Sequence, residues 1–374
     1  MNRGQIIKKG DRKFLLRIYI GRTPQGKRQY VSKTIEGTYR QADQELTRML
    51  RAKDDHTLVE PSKQTVGEFL PKWLESKRNL SYTAAKSYGN LITHRITPLI
   101  GNVRLDQLNR HHIEGLVSAQ VQEEMSPRTI QYTLTVLKMA LRKAIEWGFL
   151  VRNPAEGIET PKQIKRAPSV FTPEQAAAFL KSSQGERLYP LWVLLLATGV
   201  RPEEAFALTW EDVDLTAGTL TVTKAMQLVG PGKYAPLDTK TDKSKRTVSF
   251  SEGVKPVLEA WRRESLKEQM EGGFRTNLVF HNTVGKHLEG NSVRMQWKRA
   301  LKHAGMPDTI RLYDARHTHL THLLMLGYNP KVAADRAGHS TVTITLDTYS
   351  HVLPELDKQA GEDAGNLLFK EAVQ

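Results

Sequence analysis

The sequence predicts an α+β multidomain protein: a small β-sheet backed by one helix, then an all-α domain, then a mainly α domain carrying a small antiparallel sheet. Three observations predict it. With 374 residues the chain is too long for one ordinary core and long enough for two or three. Apolar residues alternate with a period of two near the start and recur at helical spacing from about residue 65 onward. Two stretches, residues 60 to 64 and 153 to 168, carry Pro and polar or charged residues without apolar periodicity, so they read as connections. Expected domains are therefore 1–60, 64–160 and 168–374.

In the first domain, Lys13 to Ile20 places Phe14, Leu16, Ile18 and Ile20 on one face and Lys13, Arg17 and Tyr19 on the other, a half-buried strand with a basic face. Gly21 to Gly26 reads as a turn and Lys27 to Thr34 as a second strand carrying Arg28, Tyr30 and Lys33. Thr38 can cap a helix reaching about Asp54, with Ala42, Leu46, Met49 and Leu50 as its apolar stripe. Lys13, Arg17, Arg28 and Lys33 are the cations this sheet offers to a DNA groove.

Thr65 and Glu68 supply a capping box at the start of the second domain, whose first helix buries Val66, Phe69, Leu70, Trp73 and Leu74. A second helix runs from about Ser81 past Tyr88 and Leu91, and a third covers about Arg110 to Gln122. The fourth is the clearest, with Ser126 as cap, Pro127 at the first helical position, and Thr133, Val136, Leu137, Ala140, Leu141 and Ala144 at helical spacing until Trp147-Gly148. Arg128 and Arg142 on that helix suit phosphate contact and equally suit a solvated face.

In the third domain, Thr172-Pro173 opens a helix, and the apolar block Leu191 to Ala197 reads as a buried helix ending at Thr198-Gly199. Thr219–Thr223 and Arg246–Phe250 are strand-like and bracket a polar loop region. The remainder reads mainly as helix, including one capped by Asn329-Pro330 and ended by Gly338, and another that starts at Ser340-Thr341 and bears Tyr349.

Composition narrows the function. Hydrophobic and charged fractions of 39% and 25% are near the globular average, which predicts a folded chain. No apolar run reaches the roughly 18 residues of a membrane span, and the first residues lack the apolar stretch of a signal peptide, so a cytoplasmic protein with no membrane partner is expected. The absence of Cys excludes disulfides, thiolate metal sites and a Cys nucleophile. A formal net charge of +15 points to a polyanionic partner, nucleic acid first, with a merely basic solvated surface as the alternative. The charge is uneven, since residues 1 to 63 hold 15 Lys or Arg against 7 Asp or Glu.

Four places concentrate reactive or phosphate-binding groups. The first is Thr198-Gly199-Val200-Arg201-Pro202-Glu203-Glu204, in which Glu204 lies within a turn of Arg201. Next comes Lys240 to Arg246, between the strands, and then Tyr313-Asp314-Ala315-Arg316-His317. The last runs from Gly338-His339-Ser340 to Tyr349-Ser350-His351. His317, His319 and His322 raise a metal site, but only the last two are a helical turn apart and no carboxylate joins them at ligand spacing, so no metal and no other cofactor is expected.

In this order the four places resemble the tyrosine recombinase family of phage-type integrases, and the likeness covers nearly the whole chain. Family members carry Thr-Gly-x-Arg-x-x-Glu, then a hairpin Lys in Lys-Thr-x-x-Ser-x-Arg, a His-x-x-Arg-His segment, a Gly-His-Ser turn and a Tyr nine or ten residues later. The resemblance implies catalytic roles for Arg201, Lys240, Tyr313, Arg316, His339 and Tyr349, with Glu204 supporting Arg201. Tyr313 departs from the pattern, standing where many members have His, which leaves open proton transfer or a plain hydrogen bond there.

By the same resemblance, residues 1 to about 58 are an arm-binding domain, residues 65 to about 160 a core-binding domain and the rest catalytic. The implied activity is site-specific integration, with excision, of a mobile element through a 3′-phosphotyrosyl intermediate, without ATP or metal. The implied partners are double-stranded DNA attachment sites and a homotetramer on DNA, with an excisionase and a DNA-bending protein as candidate accessory factors. A non-catalytic DNA-binding regulator would explain the charge but not the ordered Arg, Lys, Arg, His and Tyr set, and a type IB topoisomerase-like enzyme is the nearest catalytic alternative. The tail from Leu353 to Phe369 is apolar enough to dock on a neighbouring protomer or on its own domain.

Overall fold

The computed structural model describes residues 4–22, 26–54, 63–163, 168–238, 244–349 and 353–370. The chain divides into two compact units, Met1–Ile164 and Lys165–Gln374.

The first unit opens with an antiparallel sheet of β1 (Gln5–Gly10), β2 (Lys13–Arg22) and β3 (Arg28–Glu36) in sequential order, followed by α1 (Tyr39–Asp54). Alternation along β2 delivers Phe14, Leu16 and Ile18 to one face, where they pack with Val31, Ala42, Leu46 and Met49. The edge strand β1 escapes sequence reading because none of its six residues is fully buried. Only its pairing with β2, from Gln5 opposite Arg17 to Gly10 opposite Lys13, makes it a strand.

Helices then take over: α2 (Val66–Glu75), α3 (Tyr82–Leu91) with a π turn at Ile92–Ile96, α4 (Thr97–Ile100), α5 (Arg110–Gln122) and α6 (Pro127–Glu146). The Thr65 and Glu68 capping box forms, the Glu68 amide donating to Thr65 Oγ1 at 3.3 Å and the Thr65 amide to Glu68 Oε2 at 3.0 Å. Phe69, Leu70 and Trp73 of α2 share a core with Ile113 and Leu116 of α5 and Leu137 and Leu141 of α6.

The second unit holds α7 (Pro173–Ser182), α8 (Tyr189–Thr198), the single turn α9 (Pro202–Ala205), strands β4 (Val213–Asp214), β5 (Thr219–Val222), β6 (Lys224–Gly230), β7 (Lys233–Asp238) and β8 (Arg246–Ser249), and then α10 (Lys255–Gly272), α11 (Gly290–His303), α12 (Asp314–Met325), α13 (Pro330–Ala337), α14 (Val342–Tyr349) and α15 (Leu353–Lys370). Apolar on every side, α8 is buried except for a partly buried face of Tyr189, Leu196 and Ala197, with Leu191, Trp192 and Leu194 fully enclosed. Trp297 of α11 fills the centre against Phe171, Phe179 and Trp192.

Strands β4, β5 and β8 form one small antiparallel sheet, and β6 and β7 form a separate hairpin where the sequence suggested only polar loop. Its turn is Pro231-Gly232, with Gly232 in the left-handed region that glycine tolerates. Pro236 fits within β7 because a two-stranded ribbon has free edges. Among the described residues, no helix is long and apolar enough to cross a membrane.

Candidate active site

Two helix ends build the floor of the site. Gly199 stops α8 with φ +66° and Gly338 stops α13 with φ +62°, conformations that leave carbonyls of the final turns without helical partners. These negative helix ends attract cations. Arg316, on the first turn of α12, spans both, donating Nη1 to Gly199 O at 2.8 Å and Nη2 to Ala337 O at 2.6 Å. Arg201 donates Nη2 to Gly338 O at 3.3 Å. Segments more than a hundred residues apart in sequence thus meet at one turn, and His339 follows it directly.

The cations are balanced through Glu204, which is 2% exposed. Its carboxylate accepts the Arg201 amide at 2.9 Å and Arg201 Nη1 at 2.7 Å, and also takes both terminal nitrogens of Arg246. Burial alone would raise the Glu204 carboxyl, but Arg246 first and then Arg201 hold it below its ordinary value. Arg246 Nε is meanwhile fixed on Arg336 O at 2.6 Å. Arg316 is pushed down to about 10 by burial and by the nearby Arg201, so it stays cationic at neutral pH. Burial pulls Arg201 down too, but Glu204 and Tyr313 outweigh it and raise it.

His339 is held by its Nδ1 on Thr345 Oγ1 at 2.7 Å, and burial together with Arg316 and Arg201 pushes it down to about 4, so the ring is neutral at pH 7. Tyr349 ends α14 with 1% of its surface exposed, packed on Leu320, Leu324, Ala333 and Ala337. Its hydroxyl lies 2.7 Å from Nδ1 of His317. Burial raises the phenol above its ordinary value, against the pull of Arg316.

Arg201, Glu204, Arg316, His339 and Tyr349 are therefore brought into one region, whereas Lys240 lies outside the described residues. Tyr313 precedes α12, 38% exposed, with its ring edge-on to His317 at 5.4 Å. The three histidines that raised a metal site diverge: His317 goes to Tyr349, His319 Nδ1 to Leu196 O at 3.1 Å, and His322 Nε2 to Phe171 O at 2.9 Å. The sequence points neither to Arg246 as the second partner of Glu204 nor to His317 as the partner of Tyr349. The first has a local signal, an Arg closing the Lys-Thr-x-x-Ser-x-Arg stretch. The second has none, because the contact joins separate helices.

Of the cations marked for DNA, Lys13, Arg17 and Arg28 share the open face of the sheet, with Arg17 stacked 3.9 Å above the Tyr30 ring. Lys13 also lies 3.4 Å from Glu36. Lys33 points the other way, since it pairs opposite the buried Leu16 and bonds Glu45 of α1 at 2.7 Å. Arg128 is exposed in the first turn of α6, and Arg142 is bound to Glu156 at 3.0 Å.

Residues 169–355 match the model of the phage integrase family, and residues 65–119 match its N-terminal SAM-like domain. A tyrosine recombinase XerC-like protein of Caldanaerobacter subterraneus subsp. tengcongensis is 25% identical over 97% of this chain and 98% of its own. The ICEBs1 integrase of Bacillus subtilis is 23% identical over 79% of this chain and 80% of its own. Among solved structures, the Tn1549 transposon integrase in complex with transposon right end DNA superposes with a TM-score of 0.69 at 22% identity, covering 79% of this chain and all of that one. A λ integrase tetramer bound to a Holliday junction gives 0.58 at 16% identity over 92% and 94%. These superpositions show the shared fold. Because the integrase model matches half of the chain, and that half holds Arg201, Arg316, His339 and Tyr349, the protein belongs to the phage integrase family of tyrosine recombinases.

Proposed function

We propose that this chain is a site-specific DNA recombinase that integrates and excises a mobile element, cutting and rejoining double-stranded attachment sites through a 3′-phosphotyrosyl link to Tyr349. The observation that carries it is the convergence of Arg201 and Arg316 on the Ala337-Gly338 turn, beside His339, with Tyr349 bonded to the residue that follows Arg316. Displacing a 5′ oxygen from a phosphodiester needs an oxygen nucleophile, cations for the charge that builds on phosphorus, and a proton for the leaving alkoxide.

The two guanidiniums clamp the non-bridging oxygens. Neutral His339, its Nδ1 accepting from the Thr345 hydroxyl, donates Nε2–H to the same phosphate. Glu204 orients Arg201 while Arg246 shares its charge. Lys240, assigned through its motif, protonates the leaving oxygen. The phosphotyrosyl ester retains the energy of the broken bond, so a new 5′ hydroxyl can displace it without ATP.

On this reading residues 1–60 grip arm-type DNA, 64–160 and 168–374 each contact the core site, and a homotetramer assembles on DNA, with an excisionase and a DNA-bending protein as candidate accessory factors. The test is covalent trapping on a nicked duplex carrying the attachment core. Wild-type protein forms a denaturation-resistant adduct and Tyr349→Phe binds without forming one; an adduct in that variant removes the assignment. Strand transfer that ignores site identity would point instead to topoisomerase-like chemistry.

A further inference from the structure

Two phenol rings contact the His317 imidazole. The Tyr349 hydroxyl lies 2.7 Å from its Nδ1, the rings 5.7 Å apart and tilted by 55°. Tyr313, one helical turn earlier, sets its ring edge-on to the same imidazole at 5.4 Å. We infer that His317 is the general base of strand cleavage, its Nδ1 taking the proton from Tyr349 as that oxygen attacks phosphorus and returning it when the tyrosine later leaves. The inference rests on the phosphotyrosyl reading of Tyr349.

The buried Tyr349 phenol holds its proton more tightly than a solvated one, so attack at neutral pH needs an acceptor in contact. An imidazole supplies a lone pair there, whereas the phenol of Tyr313 supplies a proton. Groups facing His317 are Asp314, Arg316 and Tyr313 on or beside its own helix, Arg311 just before it, His339 beyond α13, and Tyr349 on α14. Burial lowers its pKa first, Arg316 and Arg311 lower it further, and Asp314 opposes them, so the ring is neutral and basic at pH 7.

The proton balance closes. The Tyr349 O–H bond breaks as an N–H bond forms on Nδ1, the tyrosyl O–P bond forms, and the P–O5′ bond breaks with that oxygen protonated by a separate acid. The resulting imidazolium faces the Asp314 carboxylate, which favours its charge. In rejoining, the 5′ hydroxyl attacks as its proton passes to the conjugate base of that acid, the tyrosyl O–P bond breaks, and the imidazolium returns its proton to the departing tyrosine.

The experiment is single-turnover adduct formation by the full chain on the nicked core duplex, from pH 5 to 9. The variants are His317→Asn and His317→Gln, whose amide oxygens accept a hydrogen bond but not a proton. Both should form adduct about a hundredfold more slowly at pH 7. Their rates should climb with pH where the wild-type rate is flat, with melting and DNA binding retained by at least one of them. A substrate with sulfur in place of the leaving 5′ oxygen needs no acid, so the deficit should persist on it. Wild-type rate and pH profile in either folded variant overturns the inference, and so does a deficit abolished by the sulfur substrate. An adduct in Tyr349→Phe would instead overturn the phosphotyrosyl reading.

Discussion

Arg246 grips the carboxylate of Glu204 with both terminal nitrogens, at 3.1 and 2.7 Å, while the same carboxylate holds Arg201. Breaking a buried ion pair from one side strands the other charge. Glu204→Gln therefore leaves the guanidiniums of Arg201, Arg246 and Arg316 without their shared anion and should cost roughly 3–5 kcal/mol of unfolding free energy. Its folded pKa is depressed, so its contribution is full above the ordinary carboxylate range and is lost as pH falls through the folded value. Urea unfolding at pH 7 and pH 4 checks both points: the wild-type midpoint should exceed that of the variant at pH 7, and the gap should narrow at pH 4. Equal midpoints at pH 7 would refute the account.

At Gly199 backbone and site chemistry coincide. The φ of +66° strains any L side chain, and a Cβ there would lie 2.6 Å from Cδ2 of His319. The Gly199 carbonyl also anchors Arg316. Gly199→Ala should lose about 1–3 kcal/mol of stability and displace that guanidinium. Adding His319→Ala relieves the collision but not the backbone strain, so the double variant should recover part of the melting temperature and not all of it. Full recovery would show that φ is not the cause.

Much of the fold is legible in the sequence where one pattern governs one element. The alternation of Phe14, Leu16 and Ile18 marks β2, and the Ser126-Pro127 cap with its apolar stripe marks α6, because burial is one-sided in both. The ribbon of β6 and β7 is not legible, since it encloses little and alternates weakly; the Gly230-Pro231-Gly232 turn is its one cue. The candidate site divides in the same way. Arg201, Arg316, His339 and Tyr349 stand in recognisable local contexts, but the bond from His317 to Tyr349 spans 32 residues and two helices. No spacing rule reaches that far.

His319 is a second acid-sensitive point. Burial first, then Arg336, pushes it down to about 4, because its ring is wedged beside Gly199 with Nδ1 on Leu196 O. The unfolded chain binds the proton that the folded chain refuses, so its contribution is present above about pH 6.5 and is lost as pH falls towards 4. NMR titration should show the His319 ring neutral at pH 5.5; protonation at its ordinary value would contradict the burial argument.

Arg17 and Lys33 separate the two faces of the N-terminal sheet. Arg17 lies on the open face above Tyr30, while Lys33 is turned to α1 and bonded to Glu45. If the open face meets DNA, Arg17→Ala should weaken duplex binding and lower the slope of log affinity against log salt by about 1. Lys33→Ala should change neither by a comparable amount. Fluorescence anisotropy on a labelled duplex at several salt concentrations measures both, and a larger effect from Lys33 would place the contact on the helix side.

On the phosphotyrosyl reading Tyr349 must also reach a phosphate, and with 1% of its surface exposed it does so only if α14 shifts while its hydroxyl keeps the contact with His317. The element that carries it is built to yield. Only Thr345 and Tyr349 of α14 are buried, whereas Ile344 and Leu346 are 42% and 38% exposed, so little apolar area holds the helix down. By contrast α8 buries every residue from Pro190 to Leu195. Amide exchange in residues 342–349 should therefore be faster than in 191–198 by an order of magnitude or more, since each 1.4 kcal/mol of opening free energy is about tenfold in exchange. Binding of core duplex should then alter protection in 342–349 while leaving 191–198 unchanged. Equal protection in the two helices, with no response to DNA, would mean that the nucleophile is freed by some motion other than displacement of α14.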